Sequence, residues 1–197
     1  VTGVQTCALP ISLYNVNLGS AHFDNGEYDK ASTYYFKAGT IEPKNATIQH
    51  NLGLCYYYTG KYEQAISSFR QATKLLPSEA RSHYFLAESL MESKRLKEAV
   101  AEYEKAVKLS PYNSDYYREL AWAYYLNGNN ARAIECAKKA IELNGKDSAG
   151  FFVLGVIYQA SGNGDKAYGA YMRVIELSPE SSTAEKAKKN IESLPKP

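Results

Sequence analysis

Few side chains in this sequence have the type and spacing that catalysis or metal binding requires. The three histidines, His22, His50 and His83, do not match the ligand spacing of a metal site. No phosphate-binding loop, HExxH or G-x-S-x-G motif occurs. The glycines of SGNGDKAYG, residues 161–169, faintly resemble a nucleotide loop, but no predicted strand precedes them. The sequence therefore predicts a protein that is not an enzyme and has no cofactor and no metal.

Composition excludes further classes of function. The 23 Lys and Arg residues nearly balance 21 Asp and Glu residues, whereas nucleic-acid binders usually present a clustered basic face. The longest apolar run, FFVLGVIY, is far shorter than the ~20 residues of a membrane span, so no membrane insertion by the array itself is expected. Cys55 and Cys136 form no disulfide framework, and we interpret them as small core residues.

The first eleven residues, VTGVQTCALPI, contain no charged or aromatic side chain. They lack the basic segment and the apolar run of a secretory signal peptide. They match one translated reading frame of a widely used sequencing-library adapter. We therefore expect residues 1–11 to be an adapter-derived scar that is not part of the fold, and we expect at least part of an upstream element to be missing.

The elements that must position any functional residue recur with a period of 34 residues. Five in-phase segments begin at Asn17, Asn51, Phe85, Glu119 and Val153. Each segment has a leucine followed by a small residue, and a later alanine that suits close helix packing. Second-helix aromatic residues fill the remaining core volume at Tyr35, Phe69, Tyr103 and Tyr171. Glycines suited to the left-handed conformation that ends a helix occur at Gly26, Gly60, Gly128 and Gly162.

This pattern resembles the tetratricopeptide repeat family over residues 12–181. The resemblance implies an all-α fold, a right-handed α-solenoid of five helix-turn-helix repeats plus a C-terminal capping helix. We place the repeats at 12–45, 46–79, 80–113, 114–147 and 148–181. The capping helix is predicted at 182–194, with a capping box formed by Ser182 and Glu185, and a tail follows at 195–197.

The fourth repeat departs from the pattern at three core or turn positions. Asn130 stands where the first three repeats have Tyr or Leu, Ala137 replaces the second-helix aromatic residue, and Gly145 replaces the final proline. These changes remove buried volume. The sequence therefore predicts that amide hydrogen exchange is fastest at residues 128–147.

A second stripe of residues follows the first helix of each repeat at i, i+4 and i+7, and we name it the first-helix stripe. Its members are Val16, Ser20, Phe23, His50, Leu54, Tyr57, Tyr84, Glu88, Met91, Arg118, Trp122, Tyr125, Phe152, Val156 and Gln159. Ten of these fifteen are aliphatic, aromatic or methionine, although a solvent face is usually charged. The family resemblance implies that they line a concave ligand-binding surface. The alternative is that superhelical curvature buries part of the stripe as core.

The expected binding groove comprises Asn51, Tyr57, Tyr58, Arg81, Tyr84, Glu88, Arg118, Trp122, Tyr125 and Phe152. Some family members hold C-terminal carboxylates with a clamp of Lys, Asn and Arg. Only Asn51 matches that clamp, with Arg81 as a partial match, so this mode of recognition is disfavoured. An aromatic trough suits an extended segment or an amphipathic helix with apolar anchors.

The sequence thus predicts a non-catalytic scaffold that binds a protein or peptide segment with apolar anchors and binds no nucleic acid. Two alternatives stay open. The chain could be the regulatory or substrate-presenting arm of a larger enzyme, or a periplasmic or membrane-anchored assembly factor, whose N-terminal part is missing. A cytoplasmic location is favoured, and a periplasmic one stays open if the native N-terminus was lost.

Overall fold

The computed structural model describes residues 10–194, and its regular secondary structure is entirely α-helical over this range. The helices are α1 (Ile11–Asp24), α2 (Tyr28–Ile41), α3 (Ala46–Tyr58), α4 (Tyr62–Leu75), α5 (Ala80–Glu92), α6 (Leu96–Leu109), α7 (Ser114–Leu126), α8 (Asn130–Leu143), α9 (Ser148–Ala160), α10 (Gly164–Leu177) and α11 (Ser182–Glu192). Most of the predicted adapter segment and the whole predicted tail at 195–197 lie outside the described residues. Ile11, the last residue assigned to the adapter, is the first residue of α1.

Two compact units make up the chain, and the boundary in sequence falls between Lys94 and Arg95. The first unit contains α1 to α5, in which α1 pairs with α2, α3 pairs with α4, and α2 and α4 each pack on the following helix. The second unit contains α6 to α11. There α7 pairs with α8, α9 pairs with α10, and α6, α8 and α10 each pack on the following helix. The predicted all-α class, built from helix-turn-helix repeats, is confirmed.

Within a repeat, the two helices meet where an aromatic ring of the second lies on a small residue of the first. A Cβ atom added at Gly53 would lie 2.7 Å from Cε1 of Phe69, and one added at Gly155 would lie 2.6 Å from Cε1 of Tyr171. Both distances are below van der Waals contact, so only a hydrogen atom fits under these rings. Phe69 and Tyr171 are fully buried, which confirms their prediction as core residues.

The turn between paired helices requires a left-handed backbone residue. Glycine provides it in four repeats, with φ of 75° at Gly26, 72° at Gly60, 82° at Gly128 and 73° at Gly162. This confirms the helix-ending role predicted for these glycines. The third repeat places Lys94 at the same point with φ of 59°. A residue with a Cβ atom adopts this conformation at a cost of about 1–2 kcal/mol.

The capping helix α11 packs against α9 and α10, and its Ala184 and Ala187 side chains are fully buried. Ser181 forms its N-cap, because the Ser181 Oγ accepts a hydrogen bond from the Ala184 backbone N–H at 3.1 Å. The predicted capping box headed by Ser182 is therefore wrong by one residue. Sequence spacing alone did not separate two adjacent serines that both precede the helix.

A chain of polar side chains ties α11 to the last repeat. Asn190 Nδ2 donates to the Tyr171 hydroxyl at 3.0 Å, and that hydroxyl donates to Gln159 Oε1 at 2.7 Å. Gln159 Nε2 in turn donates to Ser193 Oγ at 3.1 Å. Because α9, α10 and α11 all contribute, the orientation of the capping helix is fixed by directional bonds as well as by buried alanines.

Candidate binding surfaces

Solvent reaches nearly the whole first-helix stripe. Thirteen of its fifteen members are half-buried, while His50 and Leu54 are buried at 5% and 6% exposure. The alternative interpretation of the stripe as core therefore fits only these two residues. Partly exposed apolar side chains on one helical face provide contact area that a ligand can cover.

In the first unit, aromatic rings from α1 to α5 form a continuous cluster. Its members are Phe23, Tyr28, His50, Tyr57, Tyr58, Tyr62, Phe69, Tyr84 and Phe85. The Tyr57 ring centroid lies 5.5 Å from that of Tyr58 and 5.8 Å from that of Phe85, and Tyr84 lies 5.2 Å from Phe85. Such edge-to-face pairs contribute about 0.5–1.5 kcal/mol each beyond buried area. The structure thus brings together three predicted groove residues, Tyr57, Tyr58 and Tyr84.

The other predicted groove residues of this unit differ in their exposure. Tyr57 donates its hydroxyl proton to Glu88 Oε2 at 3.2 Å. Burial, and then the neighbouring Glu88 charge, raise the pKa of Tyr57, so the phenol stays protonated at neutral pH. Asn51 is half-buried beside the Tyr35 hydroxyl, and Arg81 is exposed.

A buried polar network lies beneath this cluster. His50 Nδ1 is 2.8 Å from the Ser82 hydroxyl, which donates to the Glu79 carboxylate. His50 Nε2 is buried without a hydrogen-bond partner among the described residues. Burial lowers the pKa of His50, although Glu79 acts in the opposite direction. Ser82 is inaccessible at 0% exposure, so the Ser-His-Glu set cannot meet a substrate.

In the second unit, α7, α9 and α11 enclose a pocket of about 260 Å³, which we name the Trp122 pocket. It is lined by Arg118, Glu119, Trp122, Ala149, Phe152, Val153, Thr183 and Lys186. Three predicted groove residues, Arg118, Trp122 and Phe152, therefore share one pocket. Tyr125 borders Trp122 with ring centroids 5.3 Å apart. Larger hollows of about 610 and 590 Å³ lie over residues 109–114 and 42–46, but each is lined by a single turn.

Arg118 is held by carboxylates of its own chain. Its guanidinium lies 2.6 Å from Asp115, 2.8 Å from Asp147 and 3.1 Å from Glu119. Burial opposes the charge, but the hydrogen bond to Asp147 and the surrounding carboxylates raise the pKa of Arg118 above its ordinary value. Asp147 also caps α9 by accepting the Ala149 N–H at 3.0 Å. Arg118 therefore joins α7 to the start of α9, and its charge is already balanced.

The remaining polar groups of the Trp122 pocket are hydrogen-bond donors. The indole N–H of Trp122, the Thr183 hydroxyl and the Lys186 ammonium have no polar partner among residues 10–194. The sequence analysis missed Thr183 and Lys186, because both lie on the capping helix and outside the repeat pattern. The detectable signal was the register, since α11 occupies the place of a further first helix.

The described residues provide no alternative site for chemistry. They contain no cluster of three metal-ligating side chains. Burial raises the pKa of Cys55 to about 12 and that of Cys136 to about 11, so neither thiol is a ready nucleophile. Cys55 is fully buried, as expected for a small core residue, whereas Cys136 is half-buried. Over residues 10–194, every helix is too short or too polar to cross a bilayer.

Sequence models of the tetratricopeptide repeat match residues 10–78, 50–114, 90–151 and 149–181, which together cover 10–181. The chain therefore belongs to the tetratricopeptide repeat family. Among curated protein sequences, none matches it significantly.

Solved structures share the fold at low sequence identity. The chain is similar to a crystal structure of MamA, with a TM-score of 0.81, 22% identity, and coverage of 95% of this chain and 98% of that chain. It is similar to MamA residues 41 to the end from Desulfovibrio magneticus RS-1, with a TM-score of 0.83, 21% identity, and coverage of 89% and 99%. YrrB, described as "a TPR protein with an unusual peptide-binding site", gives a TM-score of 0.79, 21% identity, and coverage of 90% and 92%.

Proposed function

We propose that this chain is a non-catalytic protein-interaction scaffold that binds a peptide or helical segment through the half-buried aromatic residues of its first helices. Repeat arrays of this kind commonly use extended surfaces to bind partners. YrrB, which has a similar fold, is described by its peptide-binding site, and this supports the same class of ligand here.

The observation that carries the proposal is the Trp122 pocket. Its volume of about 260 Å³ is below the ~300–1,000 Å³ typical of cofactor and drug-sized ligand pockets. A pocket of this size suits one or two side chains. Trp122, Phe152 and Val153 supply an apolar wall, which matches an apolar anchor of a ligand segment.

The donors around the pocket narrow the ligand further. Trp122, Thr183 and Lys186 present unpaired polar groups, while the Arg118 and Glu119 charges are engaged with each other at 3.1 Å. A ligand therefore gains most when an oxygen acceptor, such as a backbone carbonyl or a carboxylate, flanks its apolar anchor. The aromatic cluster of the first unit offers a second surface, where Tyr57, Tyr58 and Tyr84 supply apolar area.

Trp122 is the only tryptophan in the sequence, so its fluorescence reports directly on this pocket. The test is to select peptides from a random displayed library on the purified chain and to titrate them against Trp122 fluorescence. We expect Phe152→Ala to weaken binding about thirtyfold, as for an interface hot spot. Tyr112→Ala is the matched control, because Tyr112 is an aromatic residue of the same unit at 86% exposure outside the pocket.

Binding by Trp122→Ala is measured calorimetrically, since this variant lacks the fluorophore. Loss of affinity in the Trp122 and Phe152 variants, with retained circular dichroism and an unaffected Tyr112 variant, supports the proposal. Undiminished binding by both pocket variants would refute this surface as the ligand site.

A further inference from the structure

The face of α1 that contains Tyr14 and Ala21 is exposed, unlike the same face of every later first helix. Tyr14 is 56% exposed. The residues that follow it at intervals of 34 are buried in each case: Ile48 at 2%, Ser82 at 0%, Tyr116 at 8%, Gly150, and Ala184 at 0%. Ala21 is exposed, and the residues equivalent to it in the next four repeats, Cys55, Ser89, Ala123 and Ile157, are all at 0%.

The structure shows what covers this face elsewhere in the chain. In each compact unit, the second helix of one repeat packs on the first helix of the next, as α2 does on α3 and α8 does on α9. The equivalent face of α1 has no such helix among the described residues. Leu13, at 41% exposure, adds to its apolar area. The surface therefore has the shape and polarity of a helix-packing face.

The chemistry of α1 favours another copy of itself as the occupant. Residues 11–23 contain no Asp, Glu, Lys or Arg, so two copies of the helix meet without like-charge repulsion. Tyr14 and Ala21 are two helical turns apart on one face, about 10 Å along the axis. In an antiparallel pair, the large Tyr14 ring lies over the small Ala21 of the other copy, and the same contact is made twice.

Charge complementarity supports the antiparallel arrangement. The N-terminal turn of α1 contains no acidic residue, and its N-cap residue, Pro10, offers no side-chain acceptor to the free backbone N–H groups. Asp24 ends the helix. Antiparallel pairing brings Asp24 of each copy to the N-terminal end of the other α1, where a negative charge is favourable.

We propose that this chain forms an antiparallel, two-fold symmetric dimer through the Tyr14–Ala21 face of α1. The opposite end of the fold is closed by α11, whose outward side carries Lys186, Lys188 and Lys189. The pairing therefore closes with two copies and does not propagate into a fibre. This inference goes beyond the proposed ligand binding and does not depend on it.

Sedimentation equilibrium of the full chain over a concentration series tests the proposal. We expect a monomer–dimer equilibrium, in which Tyr14→Ala raises the dissociation constant at least about thirtyfold because each dimer loses two buried rings. Ala21→Tyr should weaken the dimer similarly by placing two large rings opposite each other. Tyr112→Ala, at an 86% exposed position, is the control and should leave the dimer unchanged.

The double variant Tyr14→Ala/Ala21→Tyr makes the test specific. It exchanges the large and small members of the same contact, so it should restore the dissociation constant to within about threefold of the starting chain. Circular dichroism of each variant confirms that it is folded. A chain that stays monomeric at all concentrations overturns the proposal, as does a dimer that neither single substitution weakens.

Discussion

Gly155→Ala and Gly169→Ala make the same chemical change on two adjacent helices, and we expect them to change stability in opposite directions. A Cβ atom at Gly155 would lie 2.6 Å from Cε1 and 2.7 Å from Cδ1 of Tyr171. A Cβ atom at Gly169, on the exposed side of α10, would meet no heavy atom within 4 Å. The two sites therefore separate helix propensity from packing.

The magnitudes follow from the surroundings of each glycine. Alanine is favoured over glycine in a helix by about 1 kcal/mol, so Gly169→Ala should stabilise the second unit by about that amount. At Gly155 the same gain is opposed by overpacking of about 1–3 kcal/mol. The Tyr171 ring is fully buried, and its hydroxyl is held by Gln159 and Asn190. Moving the ring weakens these bonds by about 1 kcal/mol each, which gives a net loss of about 2 kcal/mol.

Urea unfolding measures both changes. Far-ultraviolet circular dichroism follows all helices, and Trp122 fluorescence follows the unit that contains both glycines. The two variants should differ by about 3 kcal/mol at the midpoint of the second unit, because the expected effects have opposite signs. Equal or greater stability of Gly155→Ala relative to the starting chain would refute the inference that the ring on the glycine limits the helix spacing.

Three further predictions concern the rest of the chain. Lys94→Gly should stabilise the protein by about 0.5–1 kcal/mol, because it removes left-handed strain but adds unfolded-state entropy; no gain in urea midpoint contradicts this. Burial lowers the pKa of His50 below 6.5, so its contribution to stability is complete above pH 6.5 and is lost as the pH falls. His50→Leu should therefore reduce the acid dependence of unfolding, and an unchanged pH slope would count against it. Hydrogen exchange should be fastest at residues 128–147, since α8 buries only alanines; uniform protection across repeats two to five would oppose this.

The repeat period was sufficient to predict the helices and most of the core. Leucine, glycine, alanine and an aromatic residue recur at fixed positions, because each repeat must solve the same packing problem. Phe69 and Tyr171 lie where the pattern placed them, and the four turn glycines have positive φ. Lys94 shows that the repeat imposes the backbone conformation even where its preferred residue is absent.

The binding surfaces were less predictable, because they depend on contacts that differ between repeats. The sequence placed Trp122 and Phe152 on a shared stripe but could not show that Lys186 of the capping helix borders the same pocket. It selected Arg118 as a free groove cation, whereas three carboxylates surround its guanidinium. Long side chains adopt partners through rotamer choice, which periodicity does not encode.

The position of α11 determines how such a chain can change in length. Ala184 follows Gly150 by one full period, and both are buried by the helix that precedes them. The last helix therefore occupies the site of a sixth first helix, with lysines on the side where another repeat would dock. Inserting one 34-residue unit before residue 182 would renew this junction while leaving the terminal segment intact, so lengthening by duplication needs no redesign of the C-terminal end.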